Sequence, residues 1–174
     1  MRSQDNLRIA ILAAYAIALH GFEKLIPTPM PWLRFGLANI ITVTALILYG
    51  FRAGMMITLI RVTIGSFITG TFLGPAFLLS FGAGIMSTSS MALIIRFTPG
   101  LFSPIGISII GALFHNVTQL FLAYIVFIKR IEVVIILSPV IILIGTLTGT
   151  LNGIVSGMLI DGLKKYNETA IESS

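Results

Sequence analysis

The chain has 174 residues, 56% of them hydrophobic and only 10% charged, whereas a water-soluble domain carries about 25% charged residues. With mean hydropathy at +1.04, water is the wrong solvent for most of its surface, and the length leaves almost nothing for a domain outside a bilayer. The formal charge of +5 comes from eleven Lys and Arg scattered singly or in pairs, without the basic patch that nucleic acid requires; the absence of cysteine excludes disulfides, thiolate metal sites and thiol nucleophiles.

Six apolar segments follow in chain order, and each is expected to be a transmembrane helix, because lipid offers no hydrogen bonds and a crossing must satisfy its own backbone. The first, residues 7–26, keeps Arg8 and reaches Glu23 without a small-residue cleavage site, so it reads as a retained helix and not as a signal peptide. Along it Ala10, Ala14 and Ala18 form a small-xxx-small stripe, which serves either packing within the bundle or a partner protein. Pro27, Pro29 and Pro31 then make a stiff extended loop. The second helix, 33–49, has Arg34 at its outer end and Asn39 about two turns in, and Gly50 closes it. The third, 51–68, holds Arg61 about nine residues from either end, roughly 14 Å deep at 1.5 Å per residue.

Gly70 and Gly74-Pro75 flank the next turn, and the fourth helix, 76–97, carries the run Ser87, Thr88, Ser89 and Ser90, side chains suited to packing and to bonding back onto their own helix. Pro99-Gly100 and Pro104 lead into the fifth, 105–128, with His115, Asn116 and Gln119 in its middle and outer half. The sixth, 133–163, is long, and Pro139 is expected to kink it or to mark its entry into the membrane. Gly145, Gly149, Gly153 and Gly157 lie at strict spacing of four, a groove for a neighbouring helix, and Asn152 beside them reads as an interhelical hydrogen bond.

The uncharged intervals between Arg61 and Arg96, Arg96 and Lys129, and Glu132 and Asp161 each exceed the roughly 20 residues that cross a hydrocarbon core. Without period-two alternation such runs favour helices, so the expected class is all-α, a polytopic six-helix membrane bundle in one domain. With six crossings both termini share a side, which holds Arg2, Arg8, Arg52, Arg96, Lys164 and Lys165 against Lys24, Arg34, Lys129 and Arg130 opposite. This loop charge places both termini in the cytoplasm of a cell-membrane protein.

Ionisable groups inside a bilayer cost roughly 2.5–3.5 kcal/mol each on insertion scales and mark function by default. On this topology His20, Glu23, Arg34, Asn39, Arg61, His115, Asn116 and Gln119 gather in the outer half. They form either a polar cavity for a small polar or amphiphilic solute, with Arg34 and Arg61 against Glu23 favouring an anion, or interhelical glue. A cavity of a few hundred cubic ångströms touching Arg61 or His115 is the expectation for a solute-binding subunit; a tightly packed interior, or a groove open sideways to lipid that fits a prenyl tail, is that for a membrane partner that transports nothing. Neither a metal site nor a cofactor site is expected, since His20 has no second ligand at helical spacing. Catalytic motifs are absent, and Asp5 and Asp161 are the only aspartates, too few for a magnesium-diphosphate site; the chain is expected not to be an enzyme.

The stretch Trp32-Leu-Arg-Phe-Gly-Leu-Ala-Asn39, the string Gly106-Ile-Ser-Ile-Ile-Gly-Ala-Leu-Phe-His-Asn-Val-Thr-Gln119 and Phe81-Gly-Ala-Gly84 resemble the Gx transporter family, widely labelled heptaprenyl diphosphate synthase component I. That family is in turn similar to the substrate-binding S components of energy-coupling factor (ECF) transporters, six-helix bundles that take up vitamins. The resemblance implies that Ala10, Ala14 and Ala18 dock on a transmembrane coupling subunit served by separate ATPases. It further implies that the Pro27 to Pro31 loop is a gate, and that Arg34, Asn39, His115, Asn116 and Gln119 are pocket residues. A non-catalytic role beside a soluble prenyl transferase, or in flavin or quinone electron transfer, is the alternative it leaves open.

Overall fold

The computed structural model describes residues 3–23 and 36–172. Those residues form six α-helices and no strand: α1 (Ser3–Glu23), α2 (Ala38–Tyr49), α3 (Phe51–Ile68), α4 (Pro75–Phe97), α5 (Pro104–Ala123), extended by a π-helical turn (Tyr124–Ile128), and α6 (Ile131–Glu172). Four of them, α3 to α6, are long and apolar enough to cross a membrane. The exterior suits lipid: Leu7, Phe67, Leu93, Ile136, Leu143 and Met158 are among many large apolar side chains left exposed, a coverage that a soluble monomer avoids.

Local chemistry sets the helix ends. Pro75 and Pro104 each open their helix at its first turn, where a missing N–H costs nothing, so α4 and α5 begin one residue earlier than the sequence indicates. Ser103 caps α5 by accepting a hydrogen bond from the Gly106 N–H at 3.3 Å. A single residue, Gly50, separates α2 from α3, and its φ of +83° is one that L side chains rarely adopt.

Two expectations need correction. The second helix is short: α2 has 12 residues, about 18 Å at 1.5 Å per residue, less than a bilayer core. The sixth is longer than 133–163, running 42 residues to Glu172, about 63 Å, roughly twice the hydrocarbon thickness. Its last turns therefore project beyond the bundle, with Asp161, Lys164, Lys165, Tyr166 and Glu168 exposed. Pro139 neither ends α6 nor marks its start. Proline cannot donate to the Ile135 carbonyl four residues back, and the Ser138 hydroxyl donates to that carbonyl instead, at 3.0 Å.

Short connections make successive helices antiparallel. The end carrying both termini is called proximal here, and the end carrying the α3–α4 and α5–α6 turns distal. α1, α3, α4, α5 and α6 surround α2, which touches all five and is buried from Ala38 to Leu46 except at Asn39. Its β-branched run Ile40-Ile-Thr-Val-Thr44 would favour a strand in water; in an apolar interior only the helix satisfies the backbone internally. One core joins Ile9, Ala13 and Ala16 of α1 to Ile41 and Ala45 of α2 and Ile57 of α3, and a second joins Val43 and Leu46 to Met91 and Ile107.

Hydroxyl groups fasten α2 to this ring at mid-height. Thr42 bonds Thr58 at 3.3 Å, Thr58 bonds Thr88 at 3.0 Å, and Thr44 bonds Ser156 at 3.0 Å; Ser87 donates to the Gly111 carbonyl at 2.8 Å. Thr58→Val keeps the shape and breaks both links of the α2–α3–α4 relay. The thermal midpoint of the purified protein in detergent is expected to fall by the equivalent of about 1 kcal/mol, the upper part of the range for interhelical bonds in membranes.

Candidate functional site

The 3.6-residue period of α1 turns Ile9, Leu12, Ala13, Ala16, His20 and Glu23 inward, all buried. His20 and Glu23 therefore end up inside the distal half, and Ala10, Ala14 and Ala18 stay on the opposite, exposed face. That alanine stripe is left uncovered by the described helices. On α3, Ile57, Arg61 and Gly65 share the buried face, and Gly65 leaves the space that the His20 imidazole occupies: a Cβ there would collide with its ring carbons.

These groups surround one cavity. His20 and Glu23 of α1, Gly36 and Asn39 around the start of α2, and Arg61 and Val62 of α3 form one side; Ser80 of α4, Ala112, His115 and Asn116 of α5, and Thr148 and Asn152 of α6 form the other. All six helical regions contribute, and the floor is the N-terminal end of α2, where helix dipole and free N–H groups favour negative charge. Glu23 takes that position itself, its carboxylate accepting from the Gly36 N–H. From the far side Asn152 donates to the Gly36 carbonyl at 3.1 Å, a bond from α6 to the segment ahead of α2 where one between helices was expected. Gly36 holds φ at +70°, a left-handed conformation that presents N–H and carbonyl to the two partners and that a larger residue would strain. Asn116 donates to the Ile141 carbonyl of α6 at 3.2 Å.

The cavity measures about 40 Å³, against the few hundred expected. A water molecule needs roughly 10–15 Å³ of such space, so the room is for a few waters. Polar side chains around the space are tied to nearby backbone: Glu23 and Asn152 both bond Gly36, and Asn116 bonds the Ile141 carbonyl. Charge differs too. Among the described lining residues Arg61 is balanced by Glu23, so the positive excess rested on Arg34, which lies outside the described residues together with Lys24 and the Pro27 to Pro31 loop. Gln119 is buried but does not line the cavity.

Ser80, Thr148 and Gly36 line the cavity without having been singled out, and Asn152 does so besides its packing role. A signal for the α6 pair exists in the sequence: Thr148-Gly149, Asn152-Gly153 and Ser156-Gly157 repeat every four residues. The glycines make one stripe and the polar residues an adjacent one. The glycine stripe lies against α5, where Cβ atoms at Gly149 and Gly153 would press on the backbone at Ile109 and Ile105; the polar stripe faces the cavity and, through Ser156, α2.

Compared with known proteins, residues 12–159, which include every residue lining the cavity, match the family model described as heptaprenyl diphosphate synthase component I. No curated protein and no solved structure matches the chain.

Proposed function

This chain belongs to the heptaprenyl diphosphate synthase component I family, and on that premise we propose that it is a non-catalytic membrane subunit that binds a small polar solute in the distal half of its bundle. One observation carries the reading: a protein with an apolar exterior turns one cation, one anion, two imidazoles and three amides from its helices toward a single point. Such groups are expensive in a membrane and are kept where they meet a polar guest. The solute takes over the bonds that close the cavity in its absence. It must therefore present an acceptor to the Gly36 N–H and a donor to the Gly36 and Ile141 carbonyls, while Arg61 and Glu23 receive an amphiphilic or zwitterionic partner. Nucleotide-binding motifs are absent from the sequence, so movement of the solute depends on a separate ATP-driven module, as in the ECF S components that the sequence resembles. The exposed Ala10, Ala14 and Ala18 face supports docking of that module's membrane subunit. Loop charge supports cytoplasmic termini, which puts the cavity on the outer side.

Native mass spectrometry of the detergent-purified chain tests the reading. A water-soluble compound retained at one per chain is the expected result; a chain that carries none when exposed to cell extract before purification overturns it. A second reading, a non-catalytic partner in isoprenoid, quinone or flavin metabolism, is favoured by the small size of the cavity, since such a partner needs no solute-sized space.

A further inference from the structure

The helical wall has one open seam. Among the described residues α1 packs on α2 and α3 and α6 on α5 and α2, while the backbones of α1 and α6 stay apart and Leu159 of α6 packs against the core that Ile9 and Leu12 share with α2 and α3. Between α1 and α6 runs a groove of about 390 Å³ whose sides include Leu12 and Leu159 and whose floor includes Ile41 of α2. Leu12 and Ile41 are buried, so the trough is apolar to its full depth. At its proximal end the lining changes character: Arg8 near the start of α1, Tyr49 at the end of α2 and Tyr166 near the end of α6 all line it. An apolar trough with a guanidinium and two phenols at its rim is complementary to an amphiphile, chain along the trough and anionic head at the rim.

The charges select the class of amphiphile. Among the described residues Arg8 is the only charged one lining the groove, and none of them brings a carboxylate to it. A diphosphate would therefore find neither enough positive charge nor ligands for an accompanying divalent cation. A phosphodiester carries one negative charge, and one guanidinium matches it. Arg52, Arg96, Lys164 and Lys165 stand exposed around the same end and outnumber the exposed Asp161 and Glu168 there, a net basic rim that enriches anionic lipid in the adjoining leaflet. We propose that the seam between α1 and α6 is a binding site for an anionic glycerophospholipid of the proximal leaflet, one acyl chain lying between Leu12 and Leu159 and the phosphate on Arg8. The lipid fills the space where α1 lacks a helical neighbour, and so fixes the helix whose outer face carries Ala10, Ala14 and Ala18.

The test uses the full chain in nanodiscs of phosphatidylglycerol and phosphatidylcholine, released into detergent and weighed by native mass spectrometry. One phosphatidylglycerol per chain is expected to survive, favoured over phosphatidylcholine by about tenfold, the size of one charge-assisted hydrogen bond. Arg8→Gln, a half-buried position near a helix end, is expected to abolish the preference while one lipid of either kind is still retained. Leu159→Trp fills the trough and is expected to remove both. Arg96→Gln, on a separate groove at the same end, is expected to change neither, and unchanged helicity of all three variants shows that they fold. Retention of the two lipids in the ratio supplied, a preference that survives Arg8→Gln, or a retained mass equal to a prenyl diphosphate overturns the proposal. The last of these would instead favour the isoprenoid reading, and none of them bears on whether the distal cavity holds a solute.

Discussion

Replacing Gly153 with leucine is expected to unseat α6 from α5 and to lower the thermal midpoint in detergent by on the order of 10 °C, the equivalent of about 3 kcal/mol or more. A Cβ at this position would collide with the Ile105 Cα and stand 3.1 Å from both the Ile105 nitrogen and the Pro104 carbonyl oxygen. All three are backbone atoms in a helix start fixed by Pro104 and the Ser103 cap, so they cannot yield as a flexible side chain would. The same substitution elsewhere in the stripe meets different neighbours. At Gly149 a Cβ lies 3.0 Å from the Ile109 Cα and 3.1 Å from the Ala112 Cβ, also a firm wall. At Gly145 it meets the end of the Asn116 side chain, which can swing away, and at Gly157 it is 3.9 Å from the Pro104 ring, an ordinary contact. Alanine at the four positions should therefore cost most at Gly153, less at Gly149, and little at Gly157, with Gly145→Ala disturbing the cavity more than the fold. Equal melting of the Gly153→Ala and Gly157→Ala proteins would contradict this picture of the α5–α6 seam, the largest in the molecule.

The same stripe shows why some of the structure is legible in the sequence and some is not. Glycines at spacing of four can only be read as close approach, because a helix face without side chains has no other use inside a bundle. The arrangement of the helices is a different matter. In lipid the outer face of a helix is as apolar as its inner face, so periodicity carries little direction, and nothing in residues 38–49 announces that the shortest helix stands at the centre. The alanines of α1 illustrate this: Ala10, Ala14 and Ala18 are spaced for packing, yet Ile9, Ala13 and Ala16 are the residues that pack.

Polar residues carry the direction that apolar ones lack. His20, Glu23, Asn39, Arg61, His115 and Asn116 all border the same cavity, since in a membrane an ionisable or amide side chain is costly against lipid; Gln119, expected among them, is buried elsewhere. What spacing does not reveal is how such groups satisfy one another. The bonds from Glu23 and Asn152 to Gly36 join residues that are remote in sequence. They depend on a glycine whose value lies in its φ of +70°, and the cavity beside them has room for a few waters only.

Arg61 and Glu23 offer the test that separates binding from cohesion. They are the one cation and the one anion among the described residues lining the cavity, and both are buried. Arg61→Leu removes the one cation described in the cavity lining and leaves the Glu23 carboxylate buried there. The expected loss is about 3–5 kcal/mol, as for other buried pairs broken from one side. Glu23→Gln alone should cost less, because the amide oxygen still accepts from Gly36 N–H, although Arg61 then lacks its counter-charge. In the double variant neither charge remains, and most of the stability is expected to return, as it does when buried ion pairs are replaced as a unit. Solute retention is expected to behave otherwise. If the guanidinium meets the guest, retention is lost in Arg61→Leu and stays lost in the double variant, even though the fold has recovered. Melting and native mass spectrometry on the four proteins read the two quantities side by side. A double variant that melts like the parent and still carries the parent's solute would reduce Arg61 and Glu23 to a fastening between α1 and α3, and the polar centre of the bundle would have to be explained as cohesion alone.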